Sequence, residues 1–200
     1  MRGRQGLLGY DAPMPEPMTE DQIRAATIGE PAVLDGPVGL ADYDPAWPVL
    51  FAREEARIRG VLGDRVRRLE HVGSTSVPGL AAKPIIDMVL ALHDSADEPA
   101  YVPDLERAGY MLRIREPAWF EHRLFKGPDT NVNLHVYTDG EPEIERMIRF
   151  RDWLRDHGDE RALYERTKRE LAARQWKYVQ NYADAKTEVV EGILARASGS

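Results

Sequence analysis

At 200 residues, with 42% hydrophobic and 30% charged side chains, the chain fits one domain with a sizeable core and a well-solvated surface. A formal net charge of -7 argues against broad nonspecific nucleic-acid binding, and zero cysteines exclude disulfides, thiolate metal sites and a cysteine nucleophile. No apolar run approaches a membrane span and no secretory signal opens the chain, so a cytoplasmic protein without membrane contact is expected.

Residues 1–36 carry Pro13, Pro15, Pro17 and Pro31 and no sustained apolar period. They read as a largely disordered extension with a short helical turn near 19–26, ahead of one domain spanning 37–197. Folded sequence begins with a short strand near 38–41. Asp44-Pro45 then caps an amphipathic helix over 45–62, whose inner stripe is Trp47, Leu50, Phe51, Ile58, Val61 and Leu62 and which Gly63 ends. Strands follow at 66–72 and 84–92, the second a nearly continuous apolar run of the kind covered on both faces. A helix over 98–108 and a strand over 110–114 come next. Segments 121–125 and 132–137, joined by G-P-D-T-N, form a hairpin in which Asn133 and His135 share a face. From Glu141 onward three helices are expected, the third running unbroken through Val179, Tyr182, Ala183, Lys186, Val190 and Ile193. The order predicts an α/β (α+β) fold, a sheet flanked by helices with a C-terminal helical layer.

The chemistry concentrates in residues 71–92, H-V-G-S-T-S-V-P-G-L-A-A-K-P-I-I-D-M-V-L-A-L. Gly73 with the hydroxyls of Ser74, Thr75 and Ser76 and the cation of Lys83 makes a turn suited to phosphate. It is not a P-loop, because G-x-x-x-x-G-K-[ST] is absent. Asp87, on a strand of Ile, Met, Val and Leu, must be paired, protonated or bound to metal. Beside the turn it is placed to hold Mg2+ against phosphate oxygens.

The segment H-V-G-S-T-S-V-P-G-L-A-A-K-P-I-I-D closely resembles the signature of the GrpB family, within the nucleotidyltransferase superfamily. The resemblance extends to Y-D-P-A-W, N-L-H-V-Y, R-F-R-D-W-L-R and Y-A-D-A-K-T-E, and so covers residues 38–197. It implies a nucleotidyltransferase-like mixed sheet, Mg2+ and a nucleoside triphosphate. The superfamily pattern is glycine-serine, then acid-x-acid, then a third acid on a later strand. Here Val89 stands in the second acid position, and the later strand offers Asn133 and His135 instead of a carboxylate. One aspartate is thin support for two-metal chemistry. Either a single Mg2+ is used, or His135 and another acid such as Glu70 or Glu121 complete the site, or catalysis has been lost or replaced.

His71 and His135 sit on strands expected to flank Asp87, with His122 a weaker candidate. Arg151, Lys168 and Lys186 each fall on the apolar stripe of a C-terminal helix, where a cation must snorkel, pair or meet an anion. Three such cations would form an anion-binding wall facing the sheet. The leading expectation is a Mg2+-dependent nucleotidyltransferase acting on an unidentified small-molecule acceptor. Gly73, Ser74, Thr75, Ser76, Lys83, Arg151, Lys168 and Lys186 would hold the triphosphate and Asp87 the metal, and His135 would position or deprotonate the acceptor. One alternative is a catalytically degenerate module binding a nucleotide or phospho-ligand. The other is a transition-metal enzyme using His71, Asp87 and His135.

Overall fold

The computed structural model describes residues 16–34 and 36–199. Its framework is a five-stranded mixed sheet in the order β1-β2-β5-β4-β3, built from β1 (Arg68–Val72), β2 (Ile86–Leu92), β3 (Met111–Glu116), β4 (His122–Lys126) and β5 (Val132–Thr138). β2 and β5 run parallel, and the remaining neighbours pair antiparallel.

One sheet face carries Leu69, Ile86, Met88, Leu90, Leu134, Val136 and Phe125. Helix α2 (Trp47–Leu62) and helix α3 (Val102–Arg107) cover it with Trp47, Ile58, Leu62 and Leu105, forming the main core. Alternation along the strands puts Val72, Asp87, Val89, Asn133, His135, Tyr137, Lys126 and His122 on the other face. Helix α4 (Pro142–Asp156) closes only part of that face, packing Ile144 and Ile148 on Val72, Val89, Ala91 and Tyr137. Asp87, Asn133 and His135 therefore keep an open side. Helices α5 (Gly158–Ala172), α6 (Val179–Asp184) and α7 (Thr187–Ser198) complete the C-terminal layer.

Three expectations are revised. The stretch 16–34 is structured beyond the helical turn expected near 19–26, which is present as α1 (Glu20–Ala26): Ile23 is buried, Thr27 bridges to Ile114, and Glu20 pairs with Lys177 and Tyr178. Its anchors lie more than eighty residues away in sequence, so no local periodicity announces them. Residues 1–15 and 35 lie outside the described residues. The segment near 38–41 contributes one bridge, Ala41 to Ala82, in place of a strand. The long third helix breaks between α6 and α7, where Ala185 caps the first and Lys186 begins the second.

Candidate ligand-binding site

The site forms where the β1–β2 connection meets the open sheet face. β1 ends in Gly73 (φ 70°, ψ -175°), and Ser74–Ser76 makes a single 3-10 turn. A Cβ on Gly73 would lie 2.8 Å from Asp87 Cβ and 3.0 Å from its Cγ, and closer still to Oδ2. Glycine is thus required twice, by a backbone region essentially reserved for it and by the carboxylate packed against it. That contact locks the turn and Asp87 together.

Successive side chains of a 3-10 turn point in three directions, so the three hydroxyls do not act together. Ser76 Oγ donates to Gly73 O at 2.6 Å, and Thr75 Oγ1 donates to Ile85 O at 2.9 Å. Both hydroxyls are buried and serve the loop itself. Only Ser74 stays half-open, receiving Lys168 Nζ at 3.0 Å. Of the predicted hydroxyl triad, Thr75 and Ser76 are structural.

Asp87 sits on the cleft floor, surrounded by protein yet partly open to solvent. Its Oδ1 accepts from Asn133 Nδ2 at 2.7 Å, and Asn133 Oδ1 accepts in turn from Lys126. Burial raises the pKa of the carboxyl, against the Asn133 hydrogen bond and the charges of Lys186, Lys126 and Lys83. The lysines feel the same enclosure. Burial lowers Lys83 and Lys126, and Lys168, almost wholly buried, is lowered to about 7 by burial first and by Lys186 second. Lys186 and Lys83 approach the ring of Tyr182 at 4.8 and 5.9 Å, and the buried Tyr182 hydroxyl has no hydrogen-bond partner among the described residues. The cleft therefore gathers four ammonium groups around one carboxylate. Such a surplus of desolvated positive charge suits an anionic ligand.

Arg151 does not join this group. It donates to Glu70 Oε2 at 2.8 Å, His71 O at 3.0 Å and Asp152 Oδ1 at 2.7 Å, which occupies it at the outer edge of β1. Glu70 is held by that bond, and Glu121 pairs with Arg123 at 3.3 Å, so neither acid reaches Asp87. His71 pairs in register with Met88, which points it to the face opposite Asp87. There it stacks on Phe51 at 4.9 Å and shares a 3.0 Å hydrogen bond with Thr75 Oγ1. Burial, reinforced by Arg155 and Arg151, lowers His71 to about 4. The His71, Asp87 and His135 metal centre is thereby overturned. Among the described residues no three His, Asp or Glu side chains converge to hold a metal ion.

His135 stays on the open face, one register step beyond Asp87. Burial, with His122 and Lys126 adding to it, lowers its pKa well below the usual histidine value. Its Nδ1 lies 3.0 Å from His122 Nε2, and His122 Nδ1 lies 2.7 Å from Glu116 Oε2. Sequence reasoning missed Glu116 altogether. The signal that finds it is the register pairing Glu116 with His122 across β3 and β4.

A cavity of about 800 Å3 lies elsewhere, at the β1 edge between Tyr43, Phe51, His71, Arg155 and Arg161. It backs onto the turn, because Arg155 donates twice to Ser76 O, at 3.0 and 2.8 Å. Its arginines are engaged with backbone carbonyls, Glu70 and Asp152, whereas the polar cleft holds the lysines, Asp87 and His135. The cleft is the better candidate on chemistry.

The family described as GrpB protein matches residues 37–196. A UPF0157 protein of Halalkalibacterium halodurans is 56% identical over 184 residues, covering 92% of this chain and 94% of that protein. A protein of Mycolicibacterium paratuberculosis named dephospho-CoA kinase is 30% identical over 164 residues, but the likeness spans 69% of this chain and 40% of that protein. The crystal structure of the conserved protein GrpB from Enterococcus faecalis superposes with a TM-score of 0.71 at 29% identity, covering 80% of this chain and 96% of that one. On the family match, the 56% identical relative and the shared fold, the chain belongs to the GrpB family.

Proposed function

We propose that this chain binds a nucleoside triphosphate in the lysine-lined cleft and transfers its nucleotidyl group to a small-molecule acceptor. The observation that carries the reading is the cluster of Lys168 on Ser74, Lys126 on Asn133, and Lys83 and Lys186 at Tyr182, all within electrostatic reach of Asp87. Lys168 and Ser74 would hold phosphate oxygens at the turn, and the other lysines would neutralise the charge that grows on the leaving pyrophosphate. Holding both reactants on one sheet face supplies the remaining advantage, positioning. The single carboxylate does not fit a two-ion centre. It does fit one Mg2+ shared with the phosphates, an ion that takes one or two carboxylates and completes its shell with phosphate and water. When bound there, Mg2+ would withdraw charge from the phosphate oxygens.

The likeness to a dephospho-CoA kinase adds no phosphorylation to this reading, since it spans 40% of that protein and this chain lacks the P-loop motif. Pyrophosphate release from Mg2+-ATP tests the proposal, with loss of release in Asp87→Asn expected; no nucleotide binding at millimolar concentration would sink it. A second reading, a binding module without catalysis, draws on the Asn133 hydrogen bond that already occupies Asp87 Oδ1. It predicts binding that needs no Mg2+ and survives Asp87→Asn, which calorimetry with and without the ion separates from the first.

A further inference from the structure

The open sheet face changes character along its length. At one end stand Asp87, Asn133 and the lysines. Beyond them Leu124 and His135 lie side by side in register, and then come His122, Tyr137 and Trp119. His122 is enclosed by aromatic rings: Tyr137 stacks on it at 4.9 Å, and Trp119 meets it edge-on at 5.2 Å. Trp119 and Phe120 remain exposed at this end, in a β3–β4 connection where Phe120 and Glu121 both adopt positive φ, 51° and 49°. Two consecutive non-glycine residues in that region are costly, and such strain concentrates where a loop is held for a purpose.

Where both rings are neutral, the hydrogen bonds fix the tautomers. A carboxylate only accepts, so His122 Nδ1 carries the proton that goes to Glu116 Oε2. Neutral His122 then has a bare Nε2, which must accept, so His135 Nδ1 carries a proton as well. By elimination His135 Nε2 holds a lone pair, and it has no hydrogen-bond partner among the described residues. The charged and titratable groups around His135 are His122 and Lys126 on β4, Glu116 on β3 through His122, and Asp87 on β2; Glu143 and Arg146 on α4 lie beyond Tyr137.

We propose that Glu116, His122 and His135 form a relay whose outer end, His135 Nε2, is the base for an acceptor hydroxyl, and that Trp119 walls the acceptor site. This rests on the nucleotidyl-transfer reading above and adds its acceptor class. In the step, the acceptor oxygen bonds to the α-phosphorus and the bridging P–O bond breaks, its electron pair leaving with pyrophosphate. The hydroxyl proton passes to His135 Nε2. The imidazolium so formed keeps its Nδ1 proton on His122 Nε2, with Glu116 behind. The lysine end of the cleft repels an ammonium group, which favours a hydroxyl over a protonated amine. The apolar side formed by Leu124 and Trp119 favours a ring-bearing acceptor. His135 is the catalytic residue here, and Glu116 and His122 are positioning residues.

Nitrogen-15 NMR of the full chain, with the variants Glu116→Ala and His122→Phe, tests the relay without any turnover; the second variant keeps a ring between Tyr137 and Trp119. The expected result is Nδ1–H on both His122 and His135 near neutral pH, with His135 losing its single tautomer in both variants. Nε2–H on wild-type His135, or an unchanged His135 in both variants, would overturn the relay. In the same proteins, kcat for pyrophosphate release from Mg2+-ATP should fall about 100-fold or more in His135→Ala and shift its pH profile in Glu116→Ala; an unchanged kcat and profile would overturn the assignment of the base. With benzyl alcohol and glycerol as acceptors, transfer should favour benzyl alcohol, and the preference should vanish in Trp119→Ala. Equal rates in the wild type would overturn the acceptor site. If wild-type protein releases no pyrophosphate while the tautomers stand, nucleotidyl transfer fails and the hydrogen-bonded relay survives it.

Discussion

The substitution Gly73→Ala bears directly on the link between the turn and Asp87. Alanine at φ 70°, ψ -175° enters a region essentially closed to residues with a Cβ, at a strain of about 1–3 kcal/mol. The new methyl would also lie 2.8 Å from Asp87 Cβ, so the aspartate must move and give up its 2.7 Å bond from Asn133. Leaving those polar groups short of a partner costs about 1–3 kcal/mol more. The sum, about 2–6 kcal/mol, corresponds to a fall in Tm of roughly 5–20 °C for a chain of this size. Gly79→Ala is the control, because Gly79 also has positive φ (78°) but nothing within 4 Å of a Cβ. It should cost only the backbone term, about 1–2 kcal/mol. Differential scanning calorimetry of the two variants measures the difference. An equal loss in both would refute the idea that the turn and Asp87 are held against each other.

Lys168 gives a pH signature. The folded chain holds its proton less tightly than the unfolded chain, about 7 against 10.5, so folding sheds that proton between these values and stability rises with pH across the window. Chemical denaturation at pH 7, 8 and 9 should show the rise, and Lys168→Met should flatten it. A bound phosphate favours the ammonium form, so nucleotide affinity should weaken as pH climbs above 7, with proton uptake visible by calorimetry in buffers of different ionisation enthalpy. Tyr110→Phe should cost about 1–3 kcal/mol in urea unfolding, because Tyr110 donates to the fully buried Glu54 Oε2 at 2.6 Å. Removing residues 1–34 takes away the buried Ile23 and frees α6 from Glu20 and Met18. The expected loss is at least the burial of one isoleucine, about 1.5–3 kcal/mol, read by thermal unfolding. An unchanged Tm would show that the segment is not braced against α6.

Much of the frame is legible in the sequence because it is written in local patterns. The nearly continuous apolar run of β2, the G-P-D-T-N hairpin and the 3.6-residue stripe of α2 each name their element, and the glycine-serine turn beside Asp87 names the candidate site. What was illegible depends on register and distance. His71 and Asp87 look like neighbours until pairing with Met88 turns His71 to the other face. Glu116 gains meaning only because a register shift between Leu112 and Ile114 brings it onto the face of His122. Thr75 and Ser76 read as ligand hydroxyls, but the tight turn spends both on its own carbonyls. Arg151 reads as a cation on an apolar stripe, and its partners, Glu70 and Asp152, come from β1 and from its own helix. The break before Lys186 carries no glycine or proline, so no residue of breaking type marks it.

The central claim is that the lysine-lined cleft, and not the arginine-lined cavity behind it, receives a nucleotide. A crystal structure of the full chain with Mg2+ and a non-hydrolysable ATP analogue decides this directly. The account predicts phosphate oxygens at Ser74, Lys168 and Lys186, with Asp87 facing them. A nucleotide seated against Arg155 and Arg161 at the β1 edge, or no nucleotide at saturating concentration, would contradict it.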